Sequence, residues 1–208
     1  MKKLFTAIKR GDANTVCMLL DKKSDLIKCT AVKPPKQDDG QSPLQVAIRN
    51  QMLDIAEILL DRGADVNFME SESCCNSWRM PAFHDAVTLA IMFSRWNLIR
   101  PNGEIEIHST AAKADAAFAL LKRMLEYGAD IHACDSYGNS CLDRAVLDAR
   151  RILPGFHFGT KEVLKDRVLT EELFNDLSRI FTLLSSKGAV AHAVKTDELE
   201  PVQIFLRR

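Results

Sequence analysis

A chain of 208 residues with 47% hydrophobic and 27% charged side chains has the composition of a globular protein with a sizeable core, which excludes a disordered or fibrous chain. Its 28 basic and 28 acidic side chains cancel, so no overall field draws it to nucleic acid or to an anionic membrane. No apolar run approaches the roughly 20 residues that span a bilayer, and an apolar set dominated by Ala and Leu leans towards helix.

The first stretch, residues 1–36, is locally basic, with nine Lys or Arg against three acids. Met1-Lys2-Lys3 is followed by Lys9 and Arg10 where a signal peptide would carry its apolar core, and the six cysteines show no disulfide-framework density. A cytoplasmic, reducing location is expected. A basic end could meet an acidic partner, but a solvated face at a chain terminus is the plainer reading and the one favoured.

Residues 37–70 hold the clearest pattern: Gly40-Gln41-Ser42-Pro43-Leu44-Gln45-Val46-Ala47, then Ile58-Leu59-Leu60-Asp61-Arg62-Gly63-Ala64-Asp65. Pieces of it recur as Phe83-His84-Asp85-Ala86, Gly128-Ala129-Asp130, Gly138-Asn139-Ser140-Cys141-Leu142-Asp143-Arg144-Ala145 and Gly188-Ala189-Val190. Ser42-Pro43 and Ser140 cap the start of a first helix, and Gly after the second helix accepts a left-handed end. Seven residues before that landmark stand Val16, Ala56, Leu121 and Phe181, and four before it Leu19, Leu59, Met124 and Leu184. Each pair therefore lies on one helical face. A single helix pair cannot bury that face, so successive pairs must stack.

These pieces resemble the ankyrin repeat, whose unit reads Gly-x-Thr-Pro-Leu-His-x-Ala and closes on Leu-Leu-x-x-Gly-Ala-Asp. The resemblance implies an all-α helical solenoid of about four helix pairs. It would form a single domain over 1–208 with units near 1–36, 37–70, 71–133 and 134–208. From Ala47 to Gly63 is 16 residues, as the family spacing requires, and Ala7 to Lys23 repeats it with Lys23-Ser24-Asp25 in place of Gly-Ala-Asp. The third and fourth units depart: Ala86 to Gly128 is 42 residues and Ala145 to Gly188 is 43. Both insertions fall between the first and second helix. Longer helices closed by loops are expected there, with Pro101-Asn102-Gly103 and Pro154-Gly155 as breaks. Ser109 or Thr110 would cap a helix from Ala111, and Thr170 another. The two insertions would pack together as a side lobe through Trp96, Leu98, Ile99, Phe156 and Phe158.

No nucleophile–base–stabiliser set, Cys-x-x-Cys, His-Glu-x-x-His or phosphate loop is present in the sequence, so no enzyme and no cofactor are expected. Cys74-Cys75, with His84, would be the reagents of a rival thiol- or metal-dependent reading. By the resemblance His84 instead orders neighbouring turns. Asp143, Arg144, Asp148, Arg150 and Arg151 are spaced for ion pairs within one helix.

Ankyrin proteins bind other proteins through turn tips and the surface of the first helices. Carried over by position, the tips are Asp39, Gln41, Trp78, Arg79, Tyr137 and Asn139, with Arg79 standing where the turn Gly is usual. The first-helix positions are Gln45, Arg49, Asn50, His84, Asp85, Asp143, Arg144 and Asp148. Trp78 suits either an exposed anchor or packing between repeats. Asn76-Ser77-Trp78-Arg79 and the enlarged units resemble a group of bacterial ankyrin proteins, and bacterial ankyrin proteins include antitoxins. The expectation is a monomeric, non-catalytic protein-binding module, with an inhibitor or immunity protein against a toxin as its specific version and a self-assembling scaffold as its alternative.

Overall fold

The structure, a computed structural model, describes residues 1–33 and 35–207. They divide into two compact units, Met1–Ala86 with Leu120–Tyr137, and Val87–Ala119 with Gly138–Arg208. Among the described residues, no helix is long and apolar enough to cross a membrane.

In the first unit α1 (Lys2–Lys9) packs on α2 (Ala13–Lys22) and α3 (Pro43–Arg49), and α4 (Leu53–Asp61) packs on α2 and α3. Leu4, Ile8, Val16, Leu44, Ile48, Ile55 and Leu59 are all but closed to solvent, and each such burial favours the fold by roughly 1.5–3 kcal/mol. Helix α3 starts as its sequence predicts: the Gln45 amide donates to Ser42 Oγ at 3.2 Å, and the Ser42 amide donates back to Gln45 Oε1 at 3.1 Å. Of the eight face positions read from the repeat, seven are buried. The exception is Leu19, which is half-exposed while its neighbour Leu20 turns inward. That helix lacks the terminal Gly: Lys23 leaves α2 in an extended conformation and enters a 3₁₀ turn over Ser24–Lys28. At Gly40 two constraints meet, a φ of +83° and a Cβ position that would lie 2.7 Å from Cys74 Cβ.

Helix α5 (Ala82–Met92) begins in the first unit, and α6 (Ala111–Glu126) ends in it. In the second unit α7 (Cys141–Ala149) packs on α8 (Glu171–Ser186), which packs on the short α9 (Gln203–Leu206). Thr170 caps α8 by accepting from the Leu173 amide at 3.2 Å. Phe181 and Phe205 stack at 5.3 Å in this core.

The insertions bring the expected longer second helices, with α6 and α8 at 16 residues each against nine in α4, but where plain loops were expected to close them the chain is paired. Each forms a β-hairpin: β1 (Trp96–Ile99) pairs antiparallel with β2 (Ile105–His108), and β3 (Phe156–His157) with β4 (Glu162–Val163). The reason lies in their period. Ile105-Glu106-Ile107-His108 alternates in twos, and Pro101-Asn102-Gly103, with Gly103 at φ +84°, turns the chain back. Helix α7 also stops at Ala149, before Pro154. Hydrogen bonds join the two insertions at Asn97 and at the backbone of Ile99. Asn97 is buried, whereas Trp96, Leu98, Ile99 and Phe156 are part-exposed and Phe158 is exposed. The Asn97 amide group donates to Val168 O and its carbonyl accepts from Val168 N, both at 2.8 Å, while the Ile99 amide donates to Asp166 O at 3.0 Å.

Candidate functional site

The predicted site residues separate into buried groups that organise the fold and a smaller exposed set. In the first unit Gln45 is fully buried, and beyond its cap it donates from Nε2 to Met80 O at 3.0 Å. Gln41 is buried and donates to Gln37 O at 2.8 Å, and Asn50 donates to Val46 O at 2.8 Å. His84 is buried, with Nε2 3.1 Å from Ala133 O, so it links α5 to the turn after α6 within this unit. Arg49 joins two buried carboxylates, reaching Asp85 Oδ1 from Nε at 2.7 Å and Glu70 Oε1 from Nη2 at 3.1 Å. Glu70 also accepts the Met80 amide at 3.2 Å. Burial pushes the Asp85 carboxyl up to about 6 despite the Arg49 guanidinium, and Glu70 adds to the rise.

Asp39 is half-buried and clamps two segments, accepting the Cys75 amide at 2.8 Å and the Lys33 amide at 3.1 Å. The Cys75 and Lys33 hydrogen bonds hold its carboxyl below the usual range. Cys74 donates to Asn76 O at 3.4 Å, and Lys33 Nζ donates to Cys75 Sγ at the same distance. Neither cysteine joins a group of three or more metal-ligating side chains among the described residues.

In the second unit Asp143, Arg144 and Asp148 are buried on α7. Arg144 grips Asp148 with both Nε and Nη2, at 2.8 and 2.7 Å, and Thr88 Oγ1 and Arg151 Nη1 add 2.7 and 3.2 Å contacts to the same carboxylate. Asp143 receives the amides of Val194 (2.8 Å), Ala193 (3.1 Å) and His192 (3.2 Å), as well as the Ser140 amide and hydroxyl. Burial pushes its carboxyl up, but the Val194, Ser140 and His192 hydrogen bonds outweigh that and hold it low. These three side chains thus organise the helix and the 192–194 segment. Asn139 lies half-buried in the turn before α7.

Among the predicted turn-tip residues of the first unit, Trp78 is 41% exposed and Tyr137 66% exposed, with Arg79 partly exposed beside them. One buried carboxylate sets this group. Asp135 Oδ2 accepts from Trp78 Nε1 at 3.0 Å, and Oδ1 accepts the Tyr137 amide at 2.9 Å. The Arg79 amide donates to Ser136 Oγ at 3.1 Å, the Ser136 amide donates to Arg79 O at 2.9 Å, and Ser136 Oγ donates to Ser77 O at 3.2 Å. Two turns separated by about sixty residues are thereby laced edge to edge, and Arg79, standing where a turn Gly is usual, does not take the positive φ of Gly40 and Gly138. Asp135 was not among the predicted residues. Its signal was Asp two places before an exposed Tyr, the spacing of a side-chain-to-backbone turn.

Residues 2–70 match the family model described as ankyrin repeats (3 copies). Among solved structures, the chain is similar to the ankyrin repeat domain of Bcl-3, described as a unique member of the IkappaB protein family. The identity is 22% and the TM-score 0.45, with 71% of this chain and 50% of that chain covered.

Proposed function

We propose that this chain is a non-catalytic protein-binding module that docks a partner protein on the Trp78–Arg79–Tyr137 tip of its first unit. The observation that carries the reading is Asp135, a buried carboxylate that holds the exposed Trp78 ring through its Nε1 and the backbone of Tyr137 through its amide. Trp, Tyr and Arg dominate binding energy at interfaces, and a ring held in place before contact, as Trp78 is, loses less entropy on binding. The ankyrin repeats of residues 2–70 support the same reading, since such repeats are protein-interaction modules. Arg49 is the first-helix position that remains exposed, and it extends the proposed surface. An inhibitor or immunity protein that neutralises a toxin is the specific version of this function. Capture by the tagged chain, with Trp78→Ala and Tyr137→Ala alongside, tests it: one stoichiometric protein lost with these variants supports the module, and its retention removes the tip.

A second reading has its own observation. Ile105 and Ile107 on β2 are 54% and 68% exposed and point to one side of the hairpin, the kind of apolar face through which a scaffold self-assembles. Light scattering on the chain and on Ile107→Lys separates the two readings: a monomer in both removes self-assembly. The thiol reading through Cys74 and Cys75 would require these cysteines to react or bind zinc stoichiometrically, and thiol titration with and without zinc measures that.

A further inference from the structure

The first unit also contains a groove of about 340 Å³ between α1 and residues 30–33, 35 and 38. Its apolar lining includes Phe5, Val32 and Pro35, and Val32 is 66% exposed. Three lysines, Lys2, Lys9 and Lys33, border it against a single carboxylate, Asp38. Asp38 is buried and pairs with Lys9, while the Lys33 ammonium faces the Cys75 sulfur at 3.4 Å. Asp38 is thus taken by Lys9, and although Asp39 lies near Lys33 outside the lining, the lining itself, among the described residues, keeps three lysines to one acid. In sequence, residues 1–36 hold nine basic and three acidic side chains in a chain of zero net charge.

We infer that this groove seats an acidic segment of a partner protein, with one large apolar side chain against Phe5, Val32 and Pro35 and carboxylates on either side facing Lys2 and Lys33. The inference rests on the protein-binding reading above but uses none of the residues of the Trp78 tip. Charge complementarity selects the sign of the ligand, and the apolar floor selects a peptide over a bare polyanion. Nucleic acid fits less well. Phe5 is the one aromatic residue among the described residues of the lining, which gives successive bases no series of rings to stack on, and Asp38 would stand against phosphate.

The test is fluorescence anisotropy on the full chain with a labelled, end-blocked peptide in which one Phe stands between two pairs of Glu. Binding is expected to weaken as salt rises, to fall about tenfold or more with Lys2→Glu plus Lys33→Glu, and to fall similarly with Val32→Asp. Melting temperatures confirm that these exposed substitutions leave the fold intact. Trp78→Ala with Tyr137→Ala should bind the peptide as well as the parent chain does, so this inference and the tip reading fail separately. No binding of the peptide, equal binding by the lysine variant, or equal binding of a peptide with Ser in place of Phe would overturn the inference. Tighter binding of a short oligothymidylate in competition would overturn it too, in favour of a nucleic-acid site.

Discussion

Arg49 shows how little a residue type says about its role until its neighbours are known. It has the exposure of a surface residue, yet it is the shared cation of two buried acids, Glu70 and Asp85. Arg49→Met would leave both carboxylates in the interior without it, and should lower stability near neutral pH by about 3–5 kcal/mol in urea denaturation. Asp85 adds a pH dependence of definite sign. Its carboxyl is raised from 3.8 to about 6, so across that window the folded chain holds a proton that the unfolded chain releases. The contribution of Asp85 is present at low pH and lost as pH rises, by about 3 kcal/mol in all. The stability of Asp85→Asn relative to the parent should therefore climb between about pH 4 and pH 6 and then level off; a flat difference would contradict the assignment. Asp143 acts in the opposite direction. Held low by its amide donors, it stabilises above the ordinary carboxylate range, and that contribution is lost as pH falls through its lowered value.

At the scale of elements, the helix pairs were legible because their signals are local. Ser42, Ser140 and Thr170 cap where the sequence places them, and the apolar positions counted back from the terminal Gly are buried with the exception of Leu19. In the insertions the longer helices α6 and α8 follow their caps, whereas the hairpins are signalled by the two-residue alternation of 105–108 and not by the helix breaks at Pro101 and Pro154. The role of Asn97 could not have been read from its type, since its partner, Val168, lies about seventy residues away. Asn97→Ala would leave the Val168 amide without its acceptor, while the Val168 carbonyl would keep the Thr170 amide as donor, and should destabilise the second unit by about 1–3 kcal/mol, seen most directly as faster hydrogen exchange at the Val168 amide. The turn between α3 and α4 makes a contrasting case. Gln51 sits there at φ +62°, the conformation that Gly11 adopts between α1 and α2. Gln51→Gly relieves a left-handed side-chain residue at the cost of a more flexible unfolded chain, and should raise stability by a few tenths to about 1 kcal/mol in thermal melts.

For the molecule as a whole, the family spacing carried the reading furthest where the chain keeps it, in residues 2–70. Beyond them the same landmarks persist around two inserted hairpins. The candidate surface was only partly legible. Motif position selected Trp78 and Tyr137, which the fold leaves exposed, and Arg79, which it leaves part-exposed, together with Gln41, Gln45, His84, Asp85, Asp143, Arg144 and Asp148, which the fold buries. A repeat motif fixes where a side chain sits on its helix, whereas burial depends on what the next segment lays over it. The spacing of Asp135 to Tyr137 signals a local turn, but its bond to Trp78 is visible only in the fold.

The central claim is that binding runs through this tip, and the most direct measurement is the affinity of the captured partner for the parent chain and for Trp78→Ala with Tyr137→Ala, with melting temperatures as the control. The account predicts a loss of about 2–4 kcal/mol, or roughly 30- to 1,000-fold in Kd, with melting little changed. Undiminished affinity in a folded double variant would contradict it.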